Sequence, residues 1–253
     1  VPRKLARPAS PATTIVLPAR LGGGELKVAI IATHRFAELS TTSGPQPLAP
    51  GAGIEFLAPG APIRGDGSRV GIGAVVSIDS QPCIVTCGHA FSSSGSTLTT
   101  LDGATDIATL RTNLFTTTAP LDAAVFDATD DGVQLLEAAP DASSWSASFH
   151  EPAAADNGSE ATFWPTSNDG AAPFVSDVRA FSSCVPASIG CGYVMLDGCT
   201  TNGDSGSTLQ LAGAYYGLGS RRNGNFSFFT PLSEVRRRVE DIVGTQILPW
   251  RPS

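Results

Sequence analysis

Between residues 69 and 229 the chain is broken into short runs rich in β-branched and aromatic residues. Most are closed by Gly, Asp or Asn, and this punctuation limits the fold more than any other feature. The runs fall at 70–78, 83–86, 96–100, 107–110, 123–126, 160–164, 174–179, 192–196, 207–211, 214–218 and 226–229. Short strands without alternating helices predict an antiparallel sandwich or barrel and exclude a parallel sheet of alternating strands and helices. One helix is predicted, at the end: Ser233 suits an N-cap, Val235, Val239 and Ile242 recur at helical spacing, and Gly244 suits the C-terminal cap. With 253 residues and 42% apolar content, the chain can bury one large core or two small ones.

Residues 1–65 differ in character. Pro-rich stretches at 7–12 and 44–51 flank a single strand candidate at 26–33, so this part reads as an extension or pro-segment contributing one strand. No run approaches the roughly 18 consecutive apolar residues of a membrane span. The opening Val1-Pro-Arg-Lys-Leu lacks the apolar stretch of a secretory signal, which fits a signal already removed. A net charge of −7, with Lys4 and Lys27 the only lysines, argues against nucleic acid, whose affinity rests on many cationic contacts. The one basic cluster, Arg236 to Arg238, is expected on the solvent side of the helix. The five cysteines, at 83, 87, 184, 191 and 199, have no histidine partners at metal-site spacing. Cys184 and Cys191 enclose a short loop and are candidates for a disulfide of an exported protein; the alternative is that all five pack as small apolar side chains.

The chemistry is concentrated in Asn202-Gly-Asp-Ser-Gly-Ser-Thr208. A serine hydroxyl is a weak nucleophile at neutral pH and needs an adjacent base. Three histidines are available, His34, His89 and His150. His89 follows the apolar run 83–86 directly, where a strand ends and the chain turns, an address that presents a side chain on a rigid base. His34 follows the extension strand and His150 lies in a polar loop, and neither is so placed. A base also needs a carboxylate that fixes its tautomer. Asp122 is the candidate, a lone acid at the mouth of the buried run 123–126, where a charge is tolerated only when paired or hydrogen-bonded. Asp102 and Asp106 read as turn residues, and Asp127 lies at the far end of the same run. The order His89, Asp122, Ser205 excludes an α/β-hydrolase, whose histidine follows its serine. It also excludes a subtilisin-like arrangement, whose acid comes first on a βαβ scaffold.

With Thr86-Cys-Gly-His-Ala90, Leu121-Asp-Ala-Ala-Val125 and Gly203-Asp-Ser-Gly-Ser207 in that order, the chain resembles the chymotrypsin-like serine proteases over roughly 70–244, and most the compact bacterial members. The resemblance implies an all-β fold of two antiparallel six-stranded β-barrels, 66–145 carrying His89 and Asp122, and 146–253 carrying Ser205 and a C-terminal α-helix. It implies a peptide hydrolase working through an acyl-enzyme, with an oxyanion hole from the N–H groups of Gly203 and Ser205. A glycine at 203 independently suits a backbone that needs positive φ. Asp204 would be buried and paired with a cation. Cys199, Thr200 and Thr201 would wall the substrate pocket together with Gly217 to Ser220, and Arg221 would lie beside them. No acid stands in either segment, which disfavours Lys or Arg at the cleavage site and favours small or medium apolar side chains. The resemblance implies no metal or organic cofactor. The partners would be a polypeptide substrate and a protein inhibitor or pro-segment, outside the cell or at its surface. Two residues depart from the family pattern: Ser207 replaces a glycine, and Ala90 stands where the usual disulfide partner of Cys87 would be. Ser207 and the extension leave room for a second class, a protease-fold module that only binds, or that cuts only itself or one partner.

Overall fold

Three two-residue turns fix much of the strand pairing. Asp66-Gly67, Asp79-Ser80 and Ala212-Gly213 all have positive φ at both positions (45° and 79°, 51° and 67°, 50° and 75°). Such turns match the right-handed twist of the strands they join. The computed structural model describes residues 56–91, 95–116, 121–140, 144–166, 173–182, 193–198, 200–223 and 225–252, and the backbone alone at 37–38, 181–182 and 223. The strands are β1 (Ala37–Glu38), β2 (Pro62–Gly65), β3 (Ser68–Gly71), β4 (Ala74–Ile78), β5 (Gln81–Thr86), β6 (Thr97–Thr99), β7 (Asp106–Asn113) and β8 (Ala124–Ala128) in the first half. They continue with β9 (Glu160–Phe163), β10 (Phe174–Ser182), β11 (Tyr193–Asp197), β12 (Thr208–Leu211), β13 (Ala214–Asn223), β14 (Phe226–Pro231) and β15 (Leu248–Pro249). Two α-helices, α1 (Asp130–Glu137) and α2 (Leu232–Val243), and two 3-10 turns at Leu114–Thr116 and Ala154–Asp156 complete the described elements.

All ladders in the two sheets are antiparallel, as predicted. The second sheet runs β1-β13-β12-β9-β10-β11-β14, and β14 pairs back onto β13, closing β9 to β14 into a six-stranded barrel. The first sheet runs β15-β4-β5-β8-β7-β6-β2-β3. The six-strand count thus describes the second barrel, while the first sheet has eight strands and no ladder between its ends among the described residues. The run 70–78 divides into β3 and β4, and Ile72 and Gly73 alone link them. Because β3 lies at one end of the sheet and β4 one strand in from the other, this short link makes the sheet roll up. The first sheet takes in Pro62–Gly65, within the stretch read as an extension, and Leu57 is fully buried in its core.

Two apolar cores follow from this arrangement. The larger joins Leu57, Ile63, Ile84 and Phe126 of the first sheet to Tyr215, Leu218, Leu232 and Val235. The smaller fills the closed barrel, where the rings of Phe163 and Phe229 meet edge to face at 5.3 Å. Among the described residues no helix is long and apolar enough to cross a membrane.

The helices depart from expectation in two ways. Helix α1 is additional to the one helix expected; Thr129 caps it, its hydroxyl accepting from the Gly132 N–H at 3.1 Å. Helix α2 begins at Leu232 directly off β14, so Pro231 takes the N-cap position without a side-chain bond. Ser233 is buried in the first turn, and its hydroxyl finds no hydrogen-bond partner. Gly244 ends α2 as expected, with φ of 73°. The strand candidate 26–33 and Cys184, Cys191 and Cys199 lie outside the described residues; Cys83 and Cys87 are buried free thiols.

Phe229→Ala should cost about 3–5 kcal/mol of unfolding free energy, because the barrel core cannot collapse around the void. Thr129→Ala should cost about 1 kcal/mol. Urea titrations of the two variants test whether barrel closure dominates.

Candidate active site

The end of β5 delivers His89, and the surrounding backbone holds it. Asn113 of β7 donates from Nδ2 to the carbonyls of Gly88 (3.1 Å) and Phe91 (2.9 Å), so the loop carrying His89 is tied to the opposite strand. Asp122 immediately precedes Ala123 and β8, and it has no exposed surface. Its Oδ1 accepts from the N–H groups of Gly88 and His89, both at 2.9 Å, and its Oδ2 lies 2.8 Å from Nδ1 of His89. The hydroxyl of Ser220 on β13 also donates to Oδ2. Burial pushes the Asp122 carboxyl up, but the facing His89 and the hydrogen bonds from His89 and Ser220 outweigh it and hold it below the ordinary carboxylate range. The Asp122 carboxylate accepts at both oxygens, so Nδ1 of His89 carries the proton and Nε2 presents its lone pair. Nε2 stands 3.2 Å from Oγ of Ser205, a residue 116 positions along the chain and fully buried.

The backbone around Ser205 can be accounted for group by group. The N–H of Asp204 donates to Thr201 O (3.2 Å), that of Gly206 to Gly219 O (2.6 Å) and that of Ser207 to Asp204 O (3.1 Å). Among the described residues, the N–H groups of Gly203 and Ser205 donate to no acceptor. Two free donors in one short loop form a place where negative charge on oxygen would be stabilised. Gly203 has φ of 96°, in the region expected for it. Gly206 has φ of 79°, and a Cβ there would lie 2.2 Å from Thr86 Oγ1 and 2.5 Å from Gly71 O, so no other residue fits.

Ser207, the departure from the family pattern, has a partner. Its hydroxyl lies 2.7 Å from Thr166 Oγ1, and Thr166 in turn donates to the Gly203 carbonyl at 2.8 Å. The single Thr166 proton goes to Gly203, so Ser207 is the donor to Thr166. The N–H of Thr166 donates to Asp204 Oδ1 at 2.9 Å, and the Thr201 N–H donates to Asp204 Oδ2 at 2.7 Å. Thr166, three residues beyond the end of β9, therefore braces both sides of the nucleophile loop.

The other predicted site residues are scattered more widely. Cys199 lies outside the described residues. Thr200 is buried, with its hydroxyl 2.7 Å from Ser227 Oγ, and Thr201 is exposed. Gly217 sits in the barrel ladder between Leu209 and Pro231. The hydroxyl of Ser220 is engaged by Asp122, so any part of Ser220 offered to a ligand is backbone. Arg221 is only 7% exposed, with its guanidinium 5.7 Å above the Phe115 ring, itself 6.3 Å from the His89 ring. His150 is elsewhere, with Nε2 3.0 Å from Asp156 Oδ1, and His34 lies outside the described residues. Sequence reasoning missed Thr166, Phe115 and the Ser220 bond to Asp122. No motif marks the first two, and for Ser220 a lone serine after Gly219 carried no sign of its partner.

With this geometry, the chain shares its fold with solved bacterial proteins. Chymotrypsin of Cellulomonas bogoriensis is 21% identical, with 78% of this chain and 99% of that one covered at a TM-score of 0.56. Protease A of Thermobifida fusca is 18% identical, with 77% and 99% covered at 0.56. A glutamic acid-specific serine protease described as using a histidine triad in substrate binding is 17% identical, with 76% and 99% covered at 0.56. These likenesses establish the chymotrypsin-like fold. No protein-family model and no curated protein matches the chain.

A carboxyl held below its unfolded pKa stabilises the fold above the unfolded range and loses that contribution as pH falls through its folded value. Asp122→Asn should therefore lower stability most at neutral pH, with the gap to the parent narrowing below about pH 4 in denaturant titrations. Thr166→Val, which orphans the buried Gly203 carbonyl and Ser207 hydroxyl, should cost about 1–3 kcal/mol by the same assay, and Ser207→Gly less.

Proposed function

We propose that the chain is a serine endopeptidase in which Ser205 is the nucleophile, His89 the general base and then acid, and Asp122 the group that orients His89. The observation that carries this reading is the relay from Ser205 Oγ to His89 Nε2 (3.2 Å) and from His89 Nδ1 to Asp122 Oδ2 (2.8 Å), set beside the two free N–H groups of Gly203 and Ser205. As Oγ attacks a peptide carbonyl, its proton passes to Nε2. The imidazolium formed faces a carboxylate already held in its charged form, and the oxyanion faces the two free donors. His89 then gives the proton to the leaving amine, and a water activated by the same nitrogen cleaves the acyl-enzyme.

Cys87 is the competing nucleophile nearby. Burial and the charge of Asp122 raise its thiol well above the usual range, so it stays protonated and the serine does the work. No metal or organic cofactor enters these steps. The pocket segments carry no acid, which supports small or medium apolar side chains at the cleavage site rather than Lys or Arg. An endopeptidase with a preassembled relay is a hazard inside the cell that makes it, so the reading includes export. One observation favours a restricted variant of it: Ser205 has no exposed surface and neither has the His89 ring, which fits a site that serves few substrates.

A fluorophosphonate probe should label the parent chain at pH 8 and not Ser205→Ala; an unlabelled parent sinks the reading. His89→Ala should cut hydrolysis of the best peptide by about a million-fold. In a peptide-library digest read by mass spectrometry, new C-termini should be apolar, and a majority of Lys or Arg would overturn the specificity.

A further inference from the structure

Resting on the protease reading above, we propose that Arg221 is a specificity-determining residue: its guanidinium receives an acidic side chain of the substrate on the N-terminal side of the cleaved bond. Arg221 is the one arginine among the buried described residues, and its Nε has no hydrogen-bond partner among them. Arg111, Arg179, Arg236 and Arg237 are all more exposed, and each has a carboxylate within ion-pair distance. The cation that most needs a counter-charge is thus the one without it among the described residues. Taking a charge out of water is costly, and an apolar side chain of similar length would fill the same place without that cost. A carboxylate brought by a ligand removes the cost.

Position ties this cation to the reacting centre. Its guanidinium lies 5.7 Å from the centroid of the Phe115 ring, which it covers, and that ring is 6.3 Å from the His89 ring. An aromatic face attracts the charge without accepting a conventional hydrogen bond, so the N–H fork stays open to a carboxylate. The charged group nearest the centre is no rival, because Asp122 is already met by His89 and by the Ser220 hydroxyl. Nor is Tyr193: burial and the charge of Asp122 push its phenol up to about 12, so it stays neutral near Arg221.

The side of the substrate follows from the strand. Gly217 to Ser220 of β13 wall the pocket proposed for the residue whose carbonyl is attacked, and Arg221 is the next residue along. The acid it meets therefore belongs to the acyl part of the peptide, ahead of the bond that breaks. Away from bulk water a charge-assisted hydrogen bond is stronger than a neutral one, so Glu or Asp gains there, while Gln keeps only the weaker bond. Lys meets like charge. The substrates so defined carry an acidic residue upstream of an apolar one, and the two preferences act at different positions of the same peptide.

Peptides varied at each position before the cleaved bond test this by kcat/KM. At one such position the parent should cleave the Glu peptide about tenfold or more faster than its Gln counterpart, with the Lys peptide slowest. Arg221→Met should abolish the Glu-over-Gln ratio, Arg221→Lys should keep part of it, and Arg222→Met, at a half-buried neighbour, should leave it in place. Each ratio is taken within one chain, so it does not depend on how much of a variant folds; if Arg221→Met does not fold at all, the parent and Arg221→Lys still decide. A parent that takes the fluorophosphonate probe and cuts peptides, yet shows no Glu-over-Gln preference at any of these positions, overturns the inference and leaves the protease reading standing. A preference that survives in Arg221→Met, or that is lost in Arg222→Met instead, overturns it too. A parent that neither labels nor cuts any peptide overturns the reading on which it rests.

Discussion

The buried carboxylate of Asp122 is the constraint on which the rest of the site depends. A charge with no exposed surface must be met by donors, and these come from both halves of the molecule: the backbone and ring of the His89 loop on one side, and Ser220 of β13 on the other. Moving either half would leave part of that charge unmatched. The cost of an unmatched buried charge therefore locks the histidine loop against the second barrel. Its alignment with Ser205 follows from that lock.

Unequal strand lengths make the second feature of the site. Closing a barrel removes the exposed edges that invite stray pairing. Here β12 has 4 residues and β13 has 10, so β12 stops short and leaves a further edge of β13, where β1 pairs at Arg221 and Arg222. That remaining edge begins where the nucleophile loop ends. The nucleophile loop is held from outside by Thr166, and the Ser207 hydroxyl completes that brace. The Ser207 side chain thus supports the loop instead of crowding it.

Local patterns made most of this legible in the sequence. All eleven strand runs have counterparts, because β-branched segments between turn residues report burial and pairing directly. His89, Asp122 and Ser205 could be named because each sits at the end of a buried run beside a short motif. What escaped was long-range. Thr166 and Phe115 gain meaning only from strands folded far from them in sequence, and the break in the run 70–78 depends on how the first sheet curls. Helix α1 was hidden by Gly132, which reads as a turn former. The helix accepts it because a Cβ there would meet the Ile107 carbonyl at 1.9 Å.

The last strand has a consequence for when the molecule can exist at all. β15 pairs Leu248 with Ser77 and Pro249 with Val76, and the Trp250 N–H reaches the Val75 carbonyl at 3.0 Å. The edge of the first sheet therefore waits for residues that follow helix α2, and contacts of such sequence separation form late and slowly. During synthesis the His89 half emerges first but stays unfinished until the Ser205 half, helix α2 and β15 have followed. The fold thereby acts as a clock, and the three polar residues meet only after both barrels have been made.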